Sequence, residues 1–234
     1  MRQRITGIQW QQRWKERQWQ ILMTNDTIHA ELQRQLNNLV AQGFLARDQG
    51  MYRSIVKSVL GKISLLQEQR LPLIDLQLGI LPFVIVLKRT VIRSEEAIRL
   101  IEINGKKGVE KMFPKTPSQF QTLASIQLPP TDAYFLVDID RGKHSLNMAP
   151  RAALTEIERA GRSPLTIEEG ISILAQHPDF LMRNNCYSLL ASRIEGDKRV
   201  PAIWLNAKDE PNLGWCWDGN PHTWLGSASC RTRI

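Results

Sequence analysis

Cysteine is scarce in this sequence: Cys186, Cys216 and Cys230 are the only three in 234 residues. An odd trio cannot frame a disulfide scaffold, so a buried core with reduced thiols in a cytoplasmic setting is expected. Residues 1–22 lack the continuous apolar stretch that a secretory signal carries. The longest apolar run, "LGILPFVIVL" at 78–87, falls well short of the ~20 residues a spanning helix needs, so a soluble protein without a membrane span is predicted. The common nucleotide and hydrolase fingerprints are missing too. "LGKIS" at 60–64 has Val56 where the first glycine of a phosphate-binding loop should stand. No Gly-x-Gly-x-x-Gly follows a strand and no Gly-x-Ser-x-Gly elbow occurs, so no cofactor is expected.

What the chain does have is charge and tryptophan, both unevenly spread. The formal net charge is +8. Residues 1–22 carry Arg2, Arg4, Arg13, Lys15 and Arg17 against Glu16, five minus one, or +4, which leaves +4 for all the rest. The same segment holds Trp10, Trp14 and Trp19. It reads as a basic aromatic arm for nucleic acid or an anionic surface, or as a solvated tail ahead of a start at Met23. The tail reading is preferred, because basic termini are usually solvated. Nucleic acid is therefore not expected as a partner except through that arm. Residues 23–234 are expected to form a single domain, with a possible joint between two lobes in the Lys-, Pro-, Thr- and Ser-rich stretch 104–132.

Periodicity organises the body. Ile28, Leu32, Leu36, Leu39 and Val40 predict a helix over 28–43 that Gly43 stops. Ile55, Val56, Val59, Leu60, Ile63 and Leu66 predict a second over 51–66, weakened but not ended by Gly61. "FVIVLK" after Pro82 and "AYFLVDIDRG" at 133–142 read as strands. Ser94 is expected to cap a short helix, and Pro150 and Gly161 bracket another. Thr166 with Glu169 forms a capping box ahead of Ile167, Ile171 and Leu174. "CYSLLASR", "RVPAIWLN" and "LGWCW", separated by turn residues, predict an antiparallel β-meander. An N-terminal helical pair, mixed elements and a C-terminal meander make the class α+β.

The runs "GRSPLTIEEGISIL", "RVPAIWLN" and "LGWCWDGNPHTWLGSAS", with "LPFVIVL" and "AYFLVDIDRG", resemble a bacterial family, the domain of unknown function 5701, seen in actinobacteria and related groups. The resemblance runs from about Met23 to Ser229. It implies a bacterial protein and no known activity or ligand.

Candidate chemistry is concentrated near the C-terminus. Period-two geometry puts Trp215 and Trp217 on one strand face, so at least one should be buried. Asp218 and Gly219 favour a tight turn that would bring His222 and Trp224 back over the sheet end, toward Asp138 and Asp140. Trp215, Trp217 and Trp224 would line a pocket with Asp218, Asn220 and His222 as its polar rim, and Arg162 could clamp an anion. His222 could equally fasten its loop, and Arg162 could pin a carbonyl. Cys186, Cys216, Cys230 and His222 match no usual zinc spacing, so no metal is expected. Two functions follow. The favoured one is a binding protein for a small polar ligand or a protein partner. The alternative is an enzyme using His222 with Asp138 or Asp140 as acid and base.

Overall fold

The computed structural model describes residues 22–47 and 49–234. The N-terminal helix α1 spans Asn25–Ala41 and starts where the Thr24 hydroxyl accepts the Thr27 N–H. The second predicted helix is two: α2, Gly50–Leu60, and α3, Ile63–Gln67. Gly61 ends α2 rather than merely weakening it, since glycine gives up most backbone entropy in a helix and Lys62 leaves the helical region behind it. Nearly all of residues 1–22, and with them the expectation of a dispensable extension, lie outside the described residues.

Strand β1, Ile80–Leu87, is buried along its whole length and includes Pro82. It pairs antiparallel with β6, Ala133–Asp140. Next to β6 comes β13, Ser229–Arg233, and then β7, Ser163–Pro164, giving a four-stranded sheet in the order β1-β6-β13-β7. β1 is an edge strand with open N–H and C=O groups, which must be covered. The buried Gln35 of α1 covers them: its carbonyl accepts the Ile85 N–H at 2.7 Å and its amide donates to Phe83 O at 3.0 Å.

The second sheet contains the predicted meander, β8 (Cys186–Ser188), β10 (Arg199–Leu205) and β11 (Pro211–Trp217), each antiparallel to the next. Two strands join it in parallel: β12, Leu225–Ser227, beside β8, and β4, Val109–Glu110, beside β11. Short ladders pair β2 (Glu102–Ile103) with β3 (Lys106–Lys107), and β5 (Gln121–Thr122) with β9 (Ser192–Arg193). Helix α4, Ser94–Leu100, has no side-chain cap; the Ser94 hydroxyl donates instead to Glu168, because that buried carboxylate is the stronger acceptor. Helix α5, Pro150–Arg159, begins on its proline as expected.

Helix α6, Ile167–Gln176, is buried at all ten positions. It packs on β1 and its Gly170 carbonyl accepts the Tyr187 hydroxyl of β8 at 3.0 Å, so it is the layer between the sheets. Its capping box forms, with Thr166 N–H donating to Glu169 Oε2 at 2.8 Å. Glu169 does more than cap. Its carboxylate also accepts the Tyr134 hydroxyl of β6 at 2.7 Å and two bonds from the Arg233 guanidinium of β13, at 2.5 and 2.9 Å. Arg233 in turn donates to Ser163 Oγ and Pro164 O on β7. Breaking a buried, fully bonded pair from one side leaves a bare charge, so Arg233→Met should cost about 3–5 kcal/mol of unfolding free energy in urea titration. The pair of changes Arg233→Met and Glu169→Gln should cost less than the sum of the two alone, and strict additivity would sink this account of the cluster.

A second buried carboxylate ties α1 to the end of α6. Burial pushes the Glu31 carboxyl up, but Arg34, His177 and Gln35 outweigh it and hold it at about 2 against a usual 4.5. A carboxyl with a depressed folded pKa stabilises above its unfolded pKa and loses that stabilisation as pH falls. The stability difference between the parent and Glu31→Gln should be full, of order 2–3 kcal/mol, above about pH 5 and should shrink as pH falls from 4.5 toward 2. A difference that does not change with pH would remove Glu31 from this role.

Candidate functional site

The register of β10 against β11 sets Arg199 opposite Trp217 and Pro201 opposite Trp215, so Arg199 shares a sheet face with both tryptophans. Burial fades along that face. Leu213 is fully buried, Trp215 half-buried and Trp217 42% exposed. The expectation that one of the two tryptophans would be buried is therefore corrected: β11 runs outward past the core, and the rings stand at its rim. They meet edge-on with centroids 5.1 Å apart. The Arg199 guanidinium lies 4.7 Å from the Trp215 ring and 4.9 Å from the Trp217 ring, closing the V between them.

Each part of this group is held from behind. Arg199 donates to Asp197 through Nη1 at 2.8 Å and through its backbone N–H at 2.8 Å. Lys115 Nζ lies 3.4 Å from the same carboxylate. Burial pushes Asp197 up, but these hydrogen bonds and cations outweigh it and keep it below the usual carboxylate range. The Trp215 indole N–H donates to Met112 O and Phe113 O at 3.1 and 3.2 Å, fixing the segment after β4 against β11. That segment presents Phe113 at 88% exposure.

The other face of the same sheet carries Trp204, Trp224 and His222. Trp204 faces Asn212 across the ladder and lies over Gly214, where an added Cβ would sit 2.3 Å from the indole. Its ring contacts Trp224 at 6.2 Å, and Trp224 contacts His222 at 5.2 Å. The sheet thus separates Trp215 and Trp217 from Trp224 and His222. Asp218 lies at the sheet end, paired with Arg151 at 3.1 Å and Arg193 at 3.5 Å, and exposed Asn220 closes the turn on Trp217 O.

His222 accepts the Asn147 N–H through its backbone carbonyl at 2.7 Å, which does bring its loop to the segment after β6. Its Nε2 is buried with no hydrogen-bond partner among the described residues, and burial pushes its pKa down. Asp140 accepts the Gly142 N–H at 2.6 Å, and the histidine beside it is His144, at 3.9 Å, not His222. Asp138 sits in the left-handed region at φ 52° between Arg162, at 3.5 Å, and Arg231, at 3.4 Å. Its strand position faces Pro82, which has no N–H to give. Arg162 supplies that bond instead, donating to Asp138 O at 2.6 Å while its Nε donates to Ser229 Oγ at 2.9 Å. Arg162 is thus a buried brace on Asp138 and Ser229.

The cysteines are dispersed between the sheets. Cys230 lies in β13, Cys186 in β8 and Cys216 in β11, and burial pushes the Cys230 thiol up to about 12 and Cys216 to about 11. Among the described residues no group of three or more His, Cys, Asp or Glu could hold a metal ion. No described helix is long and apolar enough to cross a membrane.

Residues 39–234 match a family of unknown function, DUF5701. The chain belongs to this family. No curated protein and no solved structure matches it. The resemblance first carried by the "TIEEG" and "LGWCWDGNPHTW" runs therefore falls on the α6 capping box and the β11 rim.

Sequence reasoning missed Arg199 and Phe113 at the rim, and His144 at the strand end. Arg199 could have been found by counting back from the "NAKDEPN" turn, which sets it opposite Trp217. Phe113 carries no such signal. Because the buried His222 Nε2 bonds none of the described residues, His222→Ala should cost no more than about 1 kcal/mol. His222 resists protonation when folded, so the parent should lose stability as pH falls below 6.5, and the variant should lose less. Thermal melts at pH 7.5 and 5.5 check both statements; a variant that unfolds outright would make His222 a fastener.

Proposed function

We propose that this protein is a non-catalytic binding protein, and that its recognition surface is the rim formed by Trp217, Trp215, Arg199 and Phe113. The observation that carries this reading is exposed flat apolar surface beside a paired sheet: Trp217, on β11, is 42% exposed, Phe113, on the turn after β4, is 88% exposed, and Arg199 is fixed between the tryptophan rings by Asp197. Tryptophan and arginine dominate recognition energetics, phenylalanine is enriched at interfaces, and a preorganised anchor loses little entropy on binding. The rim is an open face, which suits a protein partner or another macromolecule better than an enclosed small polar ligand. The acid–base alternative is less favoured. It needs His222 beside a carboxylate, and no carboxylate influences its titration. A cytoplasmic, soluble protein is part of the same proposal.

Panning tests the reading without knowing the partner. The immobilised protein is exposed to a random peptide display library and to a random RNA pool, with counter-selection on the double variant Trp217→Ala, Phe113→Ala. Both residues lie at the rim, so the variant should keep its melting temperature within a few degrees. Species that hold the parent and not the variant are expected. Pools that never distinguish the two would remove the rim from any binding role.

A further inference from the structure

Independently of the rim, we infer that residues 1–21 pack against an exposed apolar face formed by Leu22, Leu73, Ile74 and Leu78, and so belong to the folded body rather than to a solvated tail. These four side chains are 36–47% exposed. Their exposure does not come from a loosely held loop. Asp75 and Ile80 exchange both backbone hydrogen bonds, at 3.0 and 2.7 Å, and Asp75 Oδ1 accepts the Leu78 N–H at 2.8 Å. Gly79, at φ 76°, lies against Arg141: an added Cβ would sit 2.7 Å from the Arg141 Cβ, and the Gly79 carbonyl accepts the Arg141 N–H at 2.8 Å. The turn therefore holds its leucines and isoleucine in place on the outside, and a fixed apolar patch of this kind calls for a cover.

The point at which the chain enters the body names the occupant. Leu22 forms an antiparallel bridge with Pro72, and the Met23 N–H donates to Leu71 O at 3.0 Å. Carried one residue back, that pairing sets Ile21 opposite Leu73. The 21 residues ahead of Leu22 include Trp10, Trp14, Trp19 and Ile21, so they bring the apolar surface that the patch lacks. A tethered segment also meets its site at a millimolar effective concentration, which a second copy or a free partner rarely reaches. An anionic lipid surface is the poorer match. Residues 72–79 hold Asp75 and no lysine or arginine, and the exposed cation beside them, Lys143, is 3.5 Å from Gln77 O.

Trypsin reads this docking in the full chain, because Arg13, Lys15 and Arg17 are cleavage sites within the covering segment. The variant Leu73→Ser, Ile74→Ser, Leu78→Ser changes side chains that the body leaves exposed, so the body should stay folded. Mass spectrometry should show cleavage after Arg13, Lys15 or Arg17 roughly tenfold faster in this variant than in the parent, with cleavage within residues 23–234 unchanged. The converse variant, Trp14→Ser, Trp19→Ser, leaves the patch intact. It should melt about 2–4 °C below the parent and bind more of an apolar dye. Equal cleavage of the parent and the patch variant would overturn the inference, and so would an unchanged melting temperature and dye signal in the tryptophan variant. Protection that fades on dilution, with a dimer in sedimentation, would give the patch to a second copy instead. Flotation with phosphatidylserine vesicles that the patch variant loses would give it to a lipid surface. Either result overturns the inference as well.

Discussion

The carboxylate of Glu169 is fully buried and takes bonds from a β6 tyrosine, from the first turn of its own helix and from the guanidinium of Arg233 near the chain end. Taking two opposite charges out of water costs several kcal/mol each, and only complete hydrogen bonding offsets that. The six bonding residues come from α6, its N-terminal approach, β6, β7 and β13. None can shift without leaving a bare charge, so the cluster fixes the centre of the first sheet to the helix that the second sheet also packs on. Strand β13 is thereby tied into the core, where Ser229 and Cys230 are buried.

That anchoring decides where the rim can be. Strand β12 pairs with β8 and the next residues, through β13, return to the first sheet, so the inner end of the second sheet is tied to the core. The other end of β11 runs outward. Leu213 is still in the core, and four residues later Trp217 is in solvent. The tryptophans are therefore carried on a paired strand rather than on a mobile loop, which is what a preorganised contact requires. Gly214 serves both faces of this design: its missing side chain lets Trp204 lie flat beneath the strand while Trp215 and Trp217 stand on the opposite side.

Local signals in the sequence were readable and long-range ones were not. The α+β class, the Thr166–Glu169 box, the Pro150 helix start and the meander all follow from neighbours within a few residues, where spacing fixes geometry. The second role of Glu169 depends on Arg233, 64 positions away, and no local pattern encodes it. Period two correctly put Trp215 and Trp217 together. It could not say that Trp204, on the neighbouring strand, would keep Trp224 and His222 on the reverse face. Gly61 ends α2 through its own low helix propensity, whereas Ser94 makes no cap because a tertiary partner, the Glu168 carboxylate, takes its hydroxyl.

Two polar–aromatic regions competed for the functional role, and satisfaction separates them. At the strand end, Asp138 is flanked by two arginines, Asp140 binds the Gly142 N–H, and Arg162 fills the vacancy left opposite Pro82. Those charges answer needs created by the fold itself, including the left-handed residue at Asp138. At the rim the fold has no comparable need. Phe113 is almost wholly in water, where burial would have favoured it, and Arg199 keeps a buried Nε without a partner. Exposed apolar surface and an unpaired donor both cost stability, and neither is compensated among the described residues. Under the proposed binding role the exposed rings stay open to a partner, whereas the buried Arg199 Nε lies beyond any partner's reach.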